Sequence, residues 1–127
     1  MPGVLDPLRR LLCCSPPGRV TGVDAQPGGG SLEVFVVWSP LTGAAFYRVY
    51  RRVAPDVWRP LAAVTPAATD PGFPGKVAFL DSGDTFPGGG TGRSDEDAGG
   101  LRHYVVAAVG TTGLEGPWSG EVSAGPP

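Results

Sequence analysis

The residues of this chain that could do acid–base or nucleophilic chemistry are few and scattered. There is a single histidine, His103, and the two cysteines, Cys13 and Cys14, are adjacent. A hydrolase triad needs a nucleophile, a base and an orienting acid, and a zinc site needs four nitrogen or sulfur ligands, or three and a water. The sequence predicts neither, and we expect His103 to be a solvated or hydrogen-bonded surface residue. No catalytic residue, cofactor or metal site is therefore predicted.

The densest group of acidic side chains belongs to one glycine-rich segment, 82–100, and to the residue before it. These side chains are Asp81, Asp84, Asp95, Glu96 and Asp97. Carboxylates on a flexible loop could bind calcium, but their spacing does not fit the EF-hand pattern, and Arg93 lies among them. The segment does not fit a phosphate-binding loop either, because Pro87 stands at the first glycine position and Arg93 replaces the lysine. We expect a solvated loop.

The composition decides between a disordered chain and a folded one. The 127 residues include 21 Gly and 15 Pro, a fraction at which composition begins to indicate disorder. However, 41% of the residues are hydrophobic and only 17% are charged, which favours a folded core. The net charge of −2 argues against a nucleic-acid binder, and no apolar run is long enough for a transmembrane segment. The absence of Ile and Asn indicates a GC-rich gene, which explains part of the Gly and Pro excess.

The glycines and prolines fall between segments with the alternating pattern of β-strands. Seven strands are predicted, at 19–25, 31–39, 44–54, 57–65, 77–81, 101–109 and 118–124. Pro60 places the fourth at a sheet edge, because proline cannot donate to a ladder. Residues 1–15 are predicted to be a separate extension, either a short helix or a disordered terminus, and 125–127 a tail.

Seven short strands with no helix between them predict an all-β, antiparallel two-sheet sandwich. At this length one domain is expected, and we assign it to residues 16–124. The side chains that share the inner face of each strand would form its core. They are Val34, Val36, Trp38, Tyr47, Val49, Phe79, Tyr104, Val106 and Ala108.

Several motifs, taken in order, resemble the fibronectin type III family of immunoglobulin-like domains. They are Trp38-Ser39-Pro40, Tyr47-Arg48-Val49-Tyr50-Arg51, Phe79-Leu80-Asp81-Ser82-Gly83, Tyr104-Val105-Val106-Ala107-Ala108-Val109 and Gly116-Pro117-Trp118-Ser119. The resemblance covers about residues 16–124. It implies a two-sheet sandwich in which the strands that the family labels A, B and E form one sheet and face a second sheet of strands C, C′, F and G. The chain departs from the family at Arg102, where the tyrosine corner has its Tyr, and in the long 82–100 loop. The second strand also has apolar residues on both faces.

One surface has the composition of a binding site. If Tyr47 and Val49 point inward, the alternating residues of the same strand point outward, and the neighbouring strand adds a tryptophan. The candidate residues are Phe46, Arg48, Tyr50, Arg52 and Trp58. Aromatic and arginine side chains are enriched at protein interfaces. The alternative is packing and cation–π pairing within the sheet, with Trp118 included.

The resemblance and the lack of a catalytic set together imply a non-catalytic interaction or spacer module with a protein partner. The alternative is an accessory domain split from a larger secreted glycan-degrading enzyme or a receptor-like protein, since bacterial members of the family often flank such enzymes. No signal peptide is recognised. We therefore expect a cytoplasmic protein if Met1 is the natural start, and an extracellular one if the chain is part of a larger exported protein.

Overall fold

The computed structural model describes residues 16–29, 33–82 and 101–125. They form seven strands: β1 (Asp24–Pro27), β2 (Val34–Trp38), β3 (Phe46–Ala54), β4 (Val57–Val64), β5 (Val77–Asp81), β6 (Arg102–Val109) and β7 (Val122–Ala124). The predicted extension at 1–15 with Cys13 and Cys14, the loop residues 83–100 with their four acidic side chains, and residues 126–127 lie outside the described ranges. No helix in these ranges is long and apolar enough to cross a membrane.

The seven strands form two antiparallel sheets. The three-stranded sheet has the order β1-β2-β5, and the four-stranded sheet has the order β4-β3-β6-β7. The predicted all-β sandwich is confirmed, and its strands divide between the sheets as the resemblance implied. β4 is an edge strand, as Pro60 indicated, and its ladder with β3 changes register between Val49 and Tyr50.

The core lies between the two sheets and consists of alternate side chains of their inner faces. It contains Val34, Val36 and Trp38 from β2, Tyr47 and Val49 from β3, and Tyr104, Val106 and Ala108 from β6, and Phe79 of β5 is partly buried against it. The rings of Trp38 and Tyr47 meet edge to face, with centroids 5.3 Å apart. Burying these aromatic and β-branched side chains is the main stabilising contribution to a sandwich of this kind.

The first strand is shorter than predicted. It was expected from residue 19, yet regular pairing begins only at Asp24. Gly22 has a φ of +67°, in the left-handed region, and so interrupts the extended backbone. Val20, before this glycine, is nevertheless buried in the core. The hydrophobic pattern therefore identified a buried segment correctly but not its ladder.

The last strand also starts later than predicted, at Val122 instead of 118. The chain before it still runs beside β6, since the amides of Gly116 and Ser119 donate to Ala108 and Val106. The two donors are three residues apart whereas their acceptors are two residues apart, so the register shifts between the two hydrogen bonds and no continuous ladder forms.

Candidate interaction face

The outer surface of the four-stranded sheet carries the five residues that the sequence analysis proposed for binding. The inward side chains of β3 alternate with Phe46, Arg48, Tyr50 and Arg52, each of which is half-buried. Trp58 of β4 lies directly opposite Arg52 in the ladder. We call these five residues, together with Glu115 and Trp118, the aromatic face.

Three aromatic rings form the centre of the aromatic face. Tyr50 and Trp118 are tilted by 32° with their centroids 4.6 Å apart. Trp58 meets Trp118 edge to face, with centroids 6.0 Å apart. The three rings come from β3, β4 and the segment before β7, so their contact ties the edge strand to the other side of the sheet. At one end, the Arg48 guanidinium lies over the Phe46 ring, 5.5 Å from its centroid.

Glu115 fixes the orientation of these side chains. Its Oε1 accepts hydrogen bonds from Tyr50 Oη at 2.6 Å and from Arg48 Nη1 at 2.8 Å. Its Oε2 accepts from Trp118 Nε1 at 3.0 Å. One carboxylate thus joins three residues of the face, and two of these bonds are short enough to be strong, charge-assisted interactions.

The ionisation of this group follows from the same bonds. Partial burial would raise the pKa of Glu115, but the hydrogen bonds from Tyr50, Trp118 and Arg48 outweigh it and hold that pKa below its ordinary value. Burial and the bond to Glu115 raise the pKa of Tyr50. Near neutral pH, therefore, Glu115 is a carboxylate and Tyr50 a neutral donor, which is the pairing that the geometry requires.

A second, smaller cluster lies beside the aromatic face, toward β7. Glu121 Oε2 is 3.0 Å from His103 Nδ1 and 3.7 Å from Arg52 Nη1. His103 is hydrogen-bonded, as expected, but only 9% of it is exposed, so it is not the solvated residue that the alternation suggested. Its neighbours on the outer side of β6, Val105 and Ala107, are buried as well. The long side chains above them therefore cover the sheet, which is the role that the packing alternative assigned to them.

A pocket of about 270 Å³ adjoins the face at the β4 edge of the sheet. Five consecutive residues of β4, from Arg59 to Ala63, line it together with Arg48. The register change that follows Val49 falls within this stretch, because Tyr50 pairs with Pro60 whereas Val49 pairs with Ala62. The bulge is the local feature around which the pocket forms.

The core contains an ion network that the sequence analysis missed. Asp81 Oδ2 accepts from Arg51 Nη1 and from Tyr104 Oη, each at 2.5 Å, and Arg102 Nη1 lies 3.6 Å away. All of these side chains are buried. By its position in the sequence Asp81 belongs with the possible calcium ligands, but in the structure its carboxylate belongs to this network. Arg102, at the family's tyrosine-corner position, points into the same network.

Two signals in the sequence could have revealed the missed residues. Arg51 continues the inward alternation of Tyr47 and Val49, so its position alone indicated burial. Glu115 precedes Trp118 by three residues in one connection, and that spacing is the only hint of their contact. Within the described ranges, no group of three or more His, Cys, Asp or Glu residues could hold a metal ion.

Solved structures with the same architecture match most of the chain. A Fn3-like protein from Clostridium thermocellum matches with a TM-score of 0.60 and 22% identity, over 87% of this chain and 94% of that one. A β-1,2-glucanase from Parabacteroides distasonis matches with a TM-score of 0.52 and 22% identity, over 89% of this chain but only 14% of the glucanase. Pectate lyase Pel3 from Pectobacterium carotovorum matches with a TM-score of 0.53 and 14% identity, over 86% of this chain and 27% of the lyase.

No protein-family model matches the sequence, and no curated protein matches it significantly. The likeness to these solved structures extends over both sheets, and it agrees with the motifs from Trp38 to Trp118. The chain therefore has a fibronectin type III-like fold.

Proposed function

We propose that this chain is a non-catalytic module that binds a protein partner through the aromatic face. The observation that carries the proposal is the fixed cluster of Tyr50, Trp58, Trp118 and Arg48 around the Glu115 carboxylate. Tyr, Trp and Arg are the residue types that most often dominate binding energy at protein interfaces. Here they lie together on one sheet face, supported by the rigid sandwich beneath.

The cluster is suited to binding because it is already ordered. Association costs about 0.5–1.5 kcal/mol for each flexible side chain that must be immobilised, and here ring contacts and hydrogen bonds have already restricted the side chains. Tyr50 Oη, Trp118 Nε1 and Arg48 Nη1 already have a partner in Glu115, so these three donors do not have to be satisfied by a binding partner. Trp118 is still 37% exposed and offers apolar area that a partner can cover. Packing within the sheet and binding to a partner are thus compatible roles of the same residues.

Three of the carboxylates in the described part of the chain are used in a way that supports a non-catalytic role. Glu115 holds three donors of the face, Glu121 lies between His103 and Arg52, and Asp81 is in the buried network. A general base or nucleophile has to reach a substrate atom at hydrogen-bond distance. These carboxylates instead bind side chains of their own chain, a structural use of their charge.

Affinity capture with matched variants tests the proposal. The bait is the whole chain, and the test variant carries Phe46→Ala and Tyr50→Ala. The control carries Phe73→Ala and Leu80→Ala, which remove apolar area from the other sheet, where Phe73 packs on Phe35. We expect proteins captured by the wild type and by the control to be lost with the test variant, while circular dichroism shows all three folded. Equal capture by both variants would exclude the aromatic face.

A second candidate is an accessory domain of a larger glycan-degrading enzyme. It is favoured by the matches to parts of two larger enzymes. The matched region is 14% of the β-1,2-glucanase and 27% of the pectate lyase. The genomic sequence around the gene tests it. A reading frame that continues into a hydrolase or lyase domain would support this candidate, whereas neighbours unrelated to glycans on both sides would count against it.

A further inference from the structure

The N-terminal segment 1–15 joins the sandwich at one end of the aromatic face. A Cβ on Gly116 would collide with the Pro17 carbonyl oxygen, so the backbones of these two residues lie against each other. Gly116 directly follows Glu115, which bridges to the last residue of β6. That residue is opposite Phe46 in the ladder. The chain therefore enters the described structure at the end of the sheet where Glu115 and Phe46 lie.

The sequence of this segment is unusually apolar for a terminus. Five of the nine residues 4–12 are leucine or valine. Leu8, Leu11 and Leu12 have the spacing of one face of a helix. A stretch this short is at best marginally stable by itself, and burial of its leucines against another surface is what would stabilise it.

Two exposed apolar side chains lie next to the point of entry. Leu114 is 44% exposed and Trp118 is 37% exposed, and they precede and follow Gly116 by two residues. The Trp118 ring is in contact with those of Tyr50 and Trp58. An apolar segment that enters at Gly116 thus meets apolar surface at once, and this surface continues across the aromatic face.

The apolar outer side of the three-stranded sheet is a less accessible alternative. Phe35 packs on Phe73 there, and Leu80, opposite Phe35 in the ladder, is exposed. This pair of opposite residues lies away from the Trp38 end of β2, which is the end that leads into β3. To reach it, the segment would have to cross the end of the sandwich and then follow the other sheet.

The length of the segment is sufficient to cover the aromatic face. From Phe46 to Arg52 the face extends over six residues of β3, about 20 Å at about 3.3 Å per residue. Fifteen residues span about 22 Å as a helix and about 50 Å when extended. A tethered segment also has a high effective concentration, in the millimolar range for a short connection. A contact too weak to hold two molecules together can therefore be populated within one chain.

We infer that residues 1–15 lie on the aromatic face and compete there with the protein partner. The leucines of the segment cover the exposed parts of Leu114 and Trp118. This inference rests on the proposed function and adds its regulation, because the partner has to displace a segment of the same chain. The apparent affinity for the partner is then reduced in proportion to the fraction of molecules whose face is uncovered.

Paramagnetic broadening in the isotope-labelled whole chain tests the inference. A nitroxide is attached through Gly3→Cys, while Cys13→Ser and Cys14→Ser leave the label a single site. Twelve residues separate position 3 from Pro16, so the covalent connection alone does not hold the label at one face. We expect broadening of the Trp118 indole N–H and of the outer residues of β3, but not of the signals of Leu80 and its neighbours. Equal broadening on both sheets, or none on the aromatic face, would overturn the inference.

Two pairs of substitutions in the labelled chain identify the cause. Leu8→Ser with Leu11→Ser should lower the ratio of covered to uncovered molecules at least about tenfold, the effect of removing two leucines from an apolar contact. The remaining broadening measures this ratio. Arg9→Gln with Arg10→Gln, in the same segment, retains the leucines and should leave the broadening unchanged. Loss of broadening with the glutamine pair but not with the serine pair would contradict the apolar contact.

The outcome is separable from that of the proposed function. If the label broadens only the aromatic face but capture does not depend on Phe46 and Tyr50, the face is an internal docking site, and the proposed function fails. If capture depends on these two residues but the label does not distinguish the two sheets, the proposed function stands and only the present inference fails. If both hold, the serine pair in the unlabelled bait should increase capture.

Discussion

Asp81→Asn tests whether the buried network holds the core together. In the wild type, Oδ2 accepts hydrogen bonds from Arg51 and Tyr104, and the Arg102 guanidinium is 3.6 Å away. Asparagine has nearly the same size but no charge, and its NH₂ group adds a donor where donors already converge. Two buried cations would lose this counter-charge. Removing one partner of a buried ion pair costs about 3–5 kcal/mol, because the other charge stays desolvated.

A loss of this size is large for a single small domain, whose free energy of unfolding is about 5–15 kcal/mol in total. With a urea m value of about 2 kcal/mol per molar, a loss of about 4 kcal/mol lowers the unfolding midpoint by about 2 M. Urea unfolding followed by tryptophan fluorescence measures it, since Trp38 lies in the core beside Tyr47. We expect Asp81→Asn to remain folded in water only if the free energy of unfolding of the wild type is well above about 5 kcal/mol.

Two companion variants decide whether the charge is the cause. Tyr104→Phe removes one donor and no charge, so it should cost less, about 1.5–3 kcal/mol. In a double-mutant cycle, Arg51→Met and Asp81→Asn remove the same ion pair, and the double variant should cost less than the sum of the two by about 0.5–3 kcal/mol. A cost for Asp81→Asn below that of Tyr104→Phe, or strict additivity in the cycle, would refute the reasoning.

Three further predictions concern pH and backbone packing. Burial, followed by the neighbouring carboxylate, raises the pKa of Tyr104 above 10.0. The contribution of Tyr104 to the free energy of unfolding is therefore complete below pH about 10 and is lost as the pH rises toward the folded-state pKa. In urea titrations, Tyr104→Phe should reduce this alkaline loss by up to about 1.4 kcal/mol per pH unit. The pKa of Glu115 is lowered from 4.5. The contribution of Glu115 to the free energy of unfolding is therefore complete above pH about 4.5 and is lost as the pH falls through the folded-state pKa. Glu115→Gln should make the free energy of unfolding less sensitive to acid between these two pH values. A Cβ at Gly116 would lie 2.3 Å from the Pro17 carbonyl oxygen, so Gly116→Ala should cost about 1–3 kcal/mol in thermal unfolding, whereas Gly120→Ala, with no atom within 4 Å of its Cβ, should cost little.

The strands and their inner faces could be predicted because both are local properties of the sequence. Alternation has a period of two, so Val34, Val36 and Trp38 identify the inner face of β2 without knowledge of its neighbours. Proline and glycine marked the connections, and Pro60 also identified an edge. What alternation cannot supply is the point where a ladder begins, because that depends on partner strands distant in sequence. Gly22 therefore shortened β1 unexpectedly.

Arg51 shows why the ion network was not predicted. Its place after Tyr47 and Val49 indicated an inward side chain, but burying an unpaired charge is too costly to assume. Burial becomes acceptable only with a counter-charge, and Asp81 is 30 residues further along the chain. Asp81 meets Arg51 only because the sheet that contains β5 packs against the sheet that contains β3. No local pattern in the sequence predicts which residues face each other across the two sheets. From the sequence, Arg51 is therefore part of a motif but not a predicted member of the core.

The same chemistry occurs twice in this fold with different consequences. Asp81 joins an arginine and a tyrosine inside the core, and Glu115 joins Arg48 and Tyr50 on the surface. In the core, losing the carboxylate exposes the full desolvation cost of the cations. On the surface, water screens the pair, which then contributes little to stability. What Glu115 chiefly determines is where Arg48 and Tyr50 point. A substitution there should therefore impair binding at the aromatic face more than it impairs folding, the reverse of the effect expected at Asp81.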